Sequence, residues 1–385
     1  MSRSSQSFFS KHGLKPPECH HIRIWENPSP ADLGNSVEEF LSLLEKPTLL
    51  LISGKEHQEI RAVCTLLHGN EPSGLKAVYR WLKHEETPYT DVICFIGAVK
   101  AAKTAPGFYY RHLPGQRDMN RCFGPESFSN RQTKTHIPHQ EDDEVMPVAK
   151  ELMALLDYFR PASLIDIHNT SGKGPAFAVS ISGDHIHIGL AALFTHQMII
   201  TDIRLGAIME LSSARMPIVT IECGGVRQDE SLETAVRGLQ RYVSRPSLFA
   251  PADEASLLHS RLTGFETLHN PVRIELTPEA SIDYLNYKHP QTDVTLLPSI
   301  EEDNFGIIPP DKALGWIQGD LSEVLQALNS CGQNIIHQVL QVREGKLYPA
   351  RSIKMFMATT NASIAKSDCL FYAVDADGRE IKALS

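Results

Sequence analysis

In the stretch "LLHGNEPSG", His68 and Glu71 stand three positions apart behind an apolar run, with Gly69 between them and Pro72 directly after. Glycine permits a sharp bend, and proline in a first helical turn removes no needed donor, so a strand, a tight turn and a helix are expected here. Imidazole nitrogen and carboxylate oxygen both bind zinc at roughly 2.0 to 2.2 Å, and catalytic zinc commonly keeps three protein ligands with water in the fourth place. Two donors on one turn therefore need a third from elsewhere. The same residues also suit a structural corner, with His68 packed at a strand end and Glu71 favouring the helix dipole.

Further down the chain, "SLIDIHNTSG" ends an apolar run in His168. Ligands of open α/β sheets bind at the carboxyl ends of strands, so His168 and His68 converge if their strands are parallel neighbours. Asp166, two positions earlier, shares that side of the strand and can orient an imidazole. A third apolar run, "PIVTIECGG", delivers Glu222 ahead of two glycines. With a metal supplied, this carboxylate can take a proton from water and pass it to a leaving amine. Its neighbour Cys223 faces the other side and is expected in the core. The loop "YYRHLPGQRDMNRCFGP" carries Arg111, Arg117 and Arg121, with Asn120 beside the last. Guanidinium groups hold carboxylates bidentately or stabilise an oxyanion, so an anionic ligand is expected, although arginines also serve as solvated surface residues.

These residues must be positioned by regular elements. The apolar spacing predicts a helix from about Pro30 to Glu45, neighbouring strands at Thr48–Ser53 and Arg61–Leu67, a helix within "SGLKAVYRWLK", and a buried strand at Asp91–Val99. Periodicity vanishes from Ala105 to Asp143, and a loop of that length is more often functional than idle. It resumes with the helix "DEVMPVAKELMALLDYF", strands at Ser163–Asn169 and Ala176–Ser182, helices near His187–His196 and Ile203–Ser213, a strand at Pro217–Gly225 and the helix "ESLETAVRGLQRYVS". The fold class is therefore α/β, with a mixed central sheet flanked by helices over residues 1–250. A boundary follows, then a smaller β-rich domain over residues 259–385 with one helix around Leu321–Leu328.

The chain has 385 residues, 42% hydrophobic and 22% charged, with a formal net charge of -9. No basic block stands out, which argues against a nucleic-acid or bilayer partner and for a small molecule or peptide. Its seven cysteines are scattered without a CxxC pair, as expected of reduced thiols in a cytoplasm. No run approaches the ~20 apolar residues of a membrane span. A homo-oligomer is compatible with these features. His136, His139, His185, His187 and His196 offer a second metal site, though solvated or helix-capping histidines are commoner.

Taken together and in this order, "HGNEPSG", "RHLPGQRDMNRCF", "DIHNTSG" and "TIECGG" resemble the succinylglutamate desuccinylase/aspartoacylase family of zinc hydrolases, itself similar in fold to zinc carboxypeptidases. The resemblance covers about Arg61 to Gly225. It implies one zinc ion per chain, bound by His68, Glu71 and His168, with Glu222 as general base and acid. It further implies that Arg111 polarises the scissile carbonyl and that Asn120 and Arg121 hold a substrate carboxylate. The implied activity is hydrolysis of the amide bond of an N-acyl amino acid, behind a β-rich C-terminal domain that narrows access. Two alternatives stand beside it: a carboxypeptidase trimming peptides, and a non-catalytic module sensing an anionic metabolite. The chain departs from the name-giving enzymes in "SGKGPAFAVSISGDHIHIGL" and in the insert "ESFSNRQTKTHIPHQEDDE", and its C-terminal third carries no alignable motif.

Overall fold

A computed structural model describes residues 7–124, 144–248, 264–329, 332–367 and 369–382. Among these residues the central sheet has nine strands: β1 (Arg23–Glu26), β2 (Thr48–Ile52), β3 (Glu56–Thr65), β4 (Thr90–Ile96), β5 (Ser163–Thr170), β6 (Phe177–Ser180), β7 (Gln197–Ile200), β8 (Ile218–Gly225) and β9 (Glu266–His269). Their order across the sheet is β1-β2-β4-β3-β5-β8-β6-β7-β9. β3, β5 and β8 are consecutive and parallel, while β4 against β2 and β6 against β8 are antiparallel, so the sheet is mixed.

The near-continuous apolar runs of β2 and β4 follow from helices on both faces, because a strand covered twice has no side left for polar residues. Helices Ser73–Lys83 and Asp229–Ser244 cover one face through Leu75, Val78, Leu82, Leu239 and Tyr242. Helix Val145–Phe159 covers the other through Val148, Leu152, Leu155 and Phe159, joined by Phe8 and Phe9 from the N-terminal segment. Two five-stranded sheets between 272 and 375 enclose a separate core that includes Ile274, Val294, Leu325, Leu340 and Phe371. β9 belongs to the chain beyond the expected boundary, yet it pairs in parallel with β7 and completes the central sheet.

Several elements differ from the sequence reading. β2 and β3 are not neighbours, because β4 lies between them and pairs with both. The helix expected over Pro30–Glu45 breaks at Gly34, whose φ of 71° ends a 3-10 turn at Pro30–Leu33. The α-helix proper is Val37–Leu44, capped by the Ser36 hydroxyl accepting from the Glu39 N–H at 3.1 Å. The helix near Ile203–Ser213 is only a 3-10 turn, Ile208–Leu211, and the helix near His187–His196 is His185–Ala191. The helix around Leu321–Leu328 stops at Val324 and gives way to a strand at Leu325–Ala327. The insert with His136 and His139, the expected boundary between residues 250 and 259, and Cys331 lie outside the described residues. Cys19, Cys64, Cys94 and Cys223 are free thiols, and Cys223 is buried, with burial pushing its thiol well up. No helix among the described residues is long and apolar enough to cross a membrane.

Candidate metal centre

β3 stops at Thr65, three residues before His68, and the chain turns through Leu66 at a φ of 56°, a left-handed conformation that costs a branched-at-γ residue free energy and fixes the direction of the turn. Gly69 is needed for closeness rather than for an unusual dihedral. A Cβ there would lie 2.7 Å from the Ala101 Cβ, the Ala102 nitrogen and the Tyr110 carbonyl oxygen. Glu71 follows, and helix Ser73–Lys83 starts behind Pro72.

His68, Glu71 and His168 are all buried, and one donor atom from each lies within 4.8 Å of the others. The Glu71 carboxylate stands between the two imidazoles, Oε1 at 2.8 Å from His68 Nδ1 and Oε2 at 2.7 Å from His168 Nδ1. Both rings thus turn Nδ1 inward and Nε2 outward. His168 Nε2 meets Asp166 Oδ2 at 2.7 Å, and Thr220 donates its hydroxyl to the same Asp166 oxygen. His68 Nε2 meets Asp118 Oδ1 at 3.0 Å. An imidazole whose outer N–H is held by a carboxylate presents its inner nitrogen as a lone pair, the usual arrangement around metal-binding histidine. Among the described residues this is the one cluster of its kind.

The charges are tightly interlocked. Burial pushes the Glu71 carboxyl up, but His68 and His168 outweigh that and hold it below the usual carboxylate range. Burial likewise opposes the charge on Asp118, where His68, Arg111 and Arg121 prevail and its carboxyl is held well down. On His168 burial works against the proton, but Asp166 and Glu71 raise the imidazole well above its ordinary value.

Glu222 is the register partner of His168 across β5 and β8, so its side chain leaves the sheet on the same side. Its Oε2 is buried without a hydrogen-bond partner among the described residues, and burial pushes the carboxyl up to about 7. A buried orphan oxygen beside two inward-facing imidazoles and a carboxylate is what a site built for a cation and a water would leave. The donor set of two nitrogens and one carboxylate suits zinc, so His68, Glu71 and His168 fit that ion.

The arginine loop closes over this cluster. Arg111 Nε donates to Asp118 Oδ2 at 3.0 Å, and its Nη1 lies 3.4 Å from Glu71 Oε1. Asp118 caps a short 3-10 turn, Met119–Arg121, accepting from the Asn120 N–H. Asn120 is buried, and its side-chain oxygen accepts from the Ile208 N–H at 2.9 Å, which ties the loop to the strand-free segment before β8. The half-buried Arg121 donates to the Asn120 carbonyl. The other histidines stay apart: His187 is braced between Asp184 and Ser212, while His185 and His196 are exposed.

Two positioning residues escaped the sequence reading. Asp118 is the one carboxylate in the loop from Tyr109 to Cys122, a signal that a partner for imidazole or guanidinium was on offer. Asn169 bridges three elements: its side-chain oxygen accepts from the Ser73 N–H, its amide donates to the Gly224 carbonyl, and its own N–H donates to Glu71 Oε2. A lone asparagine after a strand carries no such signal.

The fold is that of the succinylglutamate desuccinylase/aspartoacylase proteins, a mixed sheet flanked by helices with a β-rich C-terminal part. A structure from Shewanella frigidimarina, of a protein assigned to that family, superposes with a TM-score of 0.51 at 11% identity, over 85% of this chain and 92% of that one. Another assigned to it, from Shewanella amazonensis, gives a TM-score of 0.50 at 12% identity, over 85% and 93%. No family model matches the sequence, and no curated protein matches it.

Proposed function

We propose that this chain is a zinc-dependent hydrolase of the succinylglutamate desuccinylase/aspartoacylase family, cleaving the amide bond of an N-acyl amino acid or a similar small carboxylate. The observation that carries the reading is the convergence of His68, Glu71 and His168, with the orphan Glu222 oxygen beside them. Zinc, when bound, supplies Lewis acidity toward the amide carbonyl and toward water. Glu222, raised toward neutrality by burial, takes the proton of the attacking water and returns it to the leaving amine nitrogen. Arg111 directs its guanidinium at the carbonyl oxygen as negative charge develops there. The side-chain nitrogens of Asn120 and Arg121 hold the substrate carboxylate, while Asp118 and Asp166 keep the two imidazoles in the required tautomer.

The test is a panel of N-acetyl and N-succinyl amino acids run beside short peptides with the zinc-loaded protein. Release of free amine from acyl amino acids is expected. Release of C-terminal residues from peptides alone would assign a carboxypeptidase, and saturable binding without any product would assign a sensing module.

A further inference from the structure

Against Leu67, the residue before His68, lies a cavity of about 620 Å³ whose charged lining is mostly basic. Lys46, Lys100, Lys103 and Arg117 line it against two acids, Glu45 and Glu144, whereas the whole protein carries a net charge of -9. Glu144 is already engaged, by Lys100 at 3.0 Å and by the Gln116 amide at 3.3 Å. Lys46 and Lys103 hold only backbone carbonyls, those of His20 and Ser42, and neither forms an ion pair among the described residues. A carbonyl orients an ammonium without cancelling its charge. His20, His21 and His112 add three imidazoles, and the floor is apolar, from Leu67, Val99, Val145 and Val148.

We infer that this cavity is a second ligand site, for a small multivalent oxyanion with an apolar portion, its charge borne by carboxylates or phosphates. The volume falls within the ~300 to 1,000 Å³ of small-molecule pockets, and an apolar floor with a few convergent polar groups is their usual lining. Two uncancelled ammonium groups in one concavity concentrate positive potential there, which selects anions over neutral molecules. The site adjoins the His68–Glu71–His168 cluster along the chain. Leu67 directly precedes His68 and Arg117 directly precedes Asp118, so an occupant rests on the same two chain segments that carry the imidazole and its carboxylate.

The experiment is isothermal titration of the zinc-loaded full chain with two probes, propane-1,2,3-tricarboxylate and glucose 6-phosphate. Saturable binding of at least one is expected, and the tighter of the two identifies carboxylate or phosphate as the preferred charge carrier. The double variant K46E/K103E should weaken that binding about tenfold or more, K46R/K103R should retain it, and R121A, on the metal side, should leave it within about twofold. Both lysines are exposed, so the charge reversal leaves the core intact. Loss of binding in R121A with none in K46E/K103E would place the anion at the metal centre and overturn the inference. So would the absence of saturable binding of either probe up to about 10 mM.

Discussion

Asp118 Oδ1 lies 3.0 Å from His68 Nε2, joining two residues fifty positions apart through a loop without strand or α-helix. The same carboxylate accepts from Arg111 through its other oxygen, so one side chain sets both the imidazole and the guanidinium. Replacing it with asparagine keeps the shape and the cap on Met119–Arg121 but removes the charge. D118N is expected to weaken zinc binding about 10- to 100-fold, read by competition against a chromophoric chelator. Unchanged affinity would mean that His68 needs no help from this loop.

Glu222 carries the other decisive test. With its carboxyl near neutrality, E222Q should lower turnover by about a hundredfold or more while zinc stays bound at one ion per chain. Metal analysis and turnover on the same sample separate the two quantities, and a Gln variant at native rate would strip Glu222 of its role.

The pH dependence of metal loading has a definite sign. In the metal-free protein Asp166 and Glu71 raise His168 well above its ordinary value, so its proton contributes stability below about pH 6.5 that is lost as pH rises through the raised value. On the proposed zinc reading, the metal has to displace that proton. Apparent affinity should therefore fall as the solution is acidified, with proton release on binding, measured by calorimetry in buffers of different ionisation enthalpy. Affinity that stays flat between about pH 6 and 8 would contradict it.

Asn304 fastens the loop that follows His168 to the C-terminal part. Its amide donates to the Lys173 and Ala358 carbonyls, and its oxygen accepts from the Ala358 N–H. Glu301 joins the same seam by accepting from the Lys173 and Thr360 N–H groups, and Gly172 sits so close that an added Cβ would be 2.2 Å from the Ala358 oxygen. N304A should cost about 1 to 3 kcal/mol of stability in chemical denaturation, without loss of zinc stoichiometry. A cost within error would show that Glu301 and Gly172 hold the seam alone.

The donor residues were legible because strand ends announce themselves. Apolar runs that stop at His168 and Glu222 predict both the strands and the edge to which they deliver, and β5 and β8 place the two in register. Adjacency was not legible. Nothing in "TLLLIS" or "RAVCTLL" says that a later strand, β4, inserts between them, because pairing is settled by non-local packing. β7 was missed because four residues, Gln197–Ile200, are too short to show a period. The helix expected after it fails where Gly206 takes a φ of 80° and leaves only a single tight turn. Asp118 was hidden for a different reason: a carboxylate ahead of a turn is first of all a cap, and its reach to His68 depends on where the loop folds back.

The parallel pairing of β7 with β9 makes the division of this chain into two pieces unsafe for anyone cutting it. Truncation ahead of Glu266 removes a whole strand from the central sheet and leaves the N–H and C=O groups of β7 facing solvent as a bare edge. Such an edge invites a strand from another molecule, so a shortened fragment is prone to intermolecular pairing even though His68, Glu71, His168 and Glu222 are all encoded upstream.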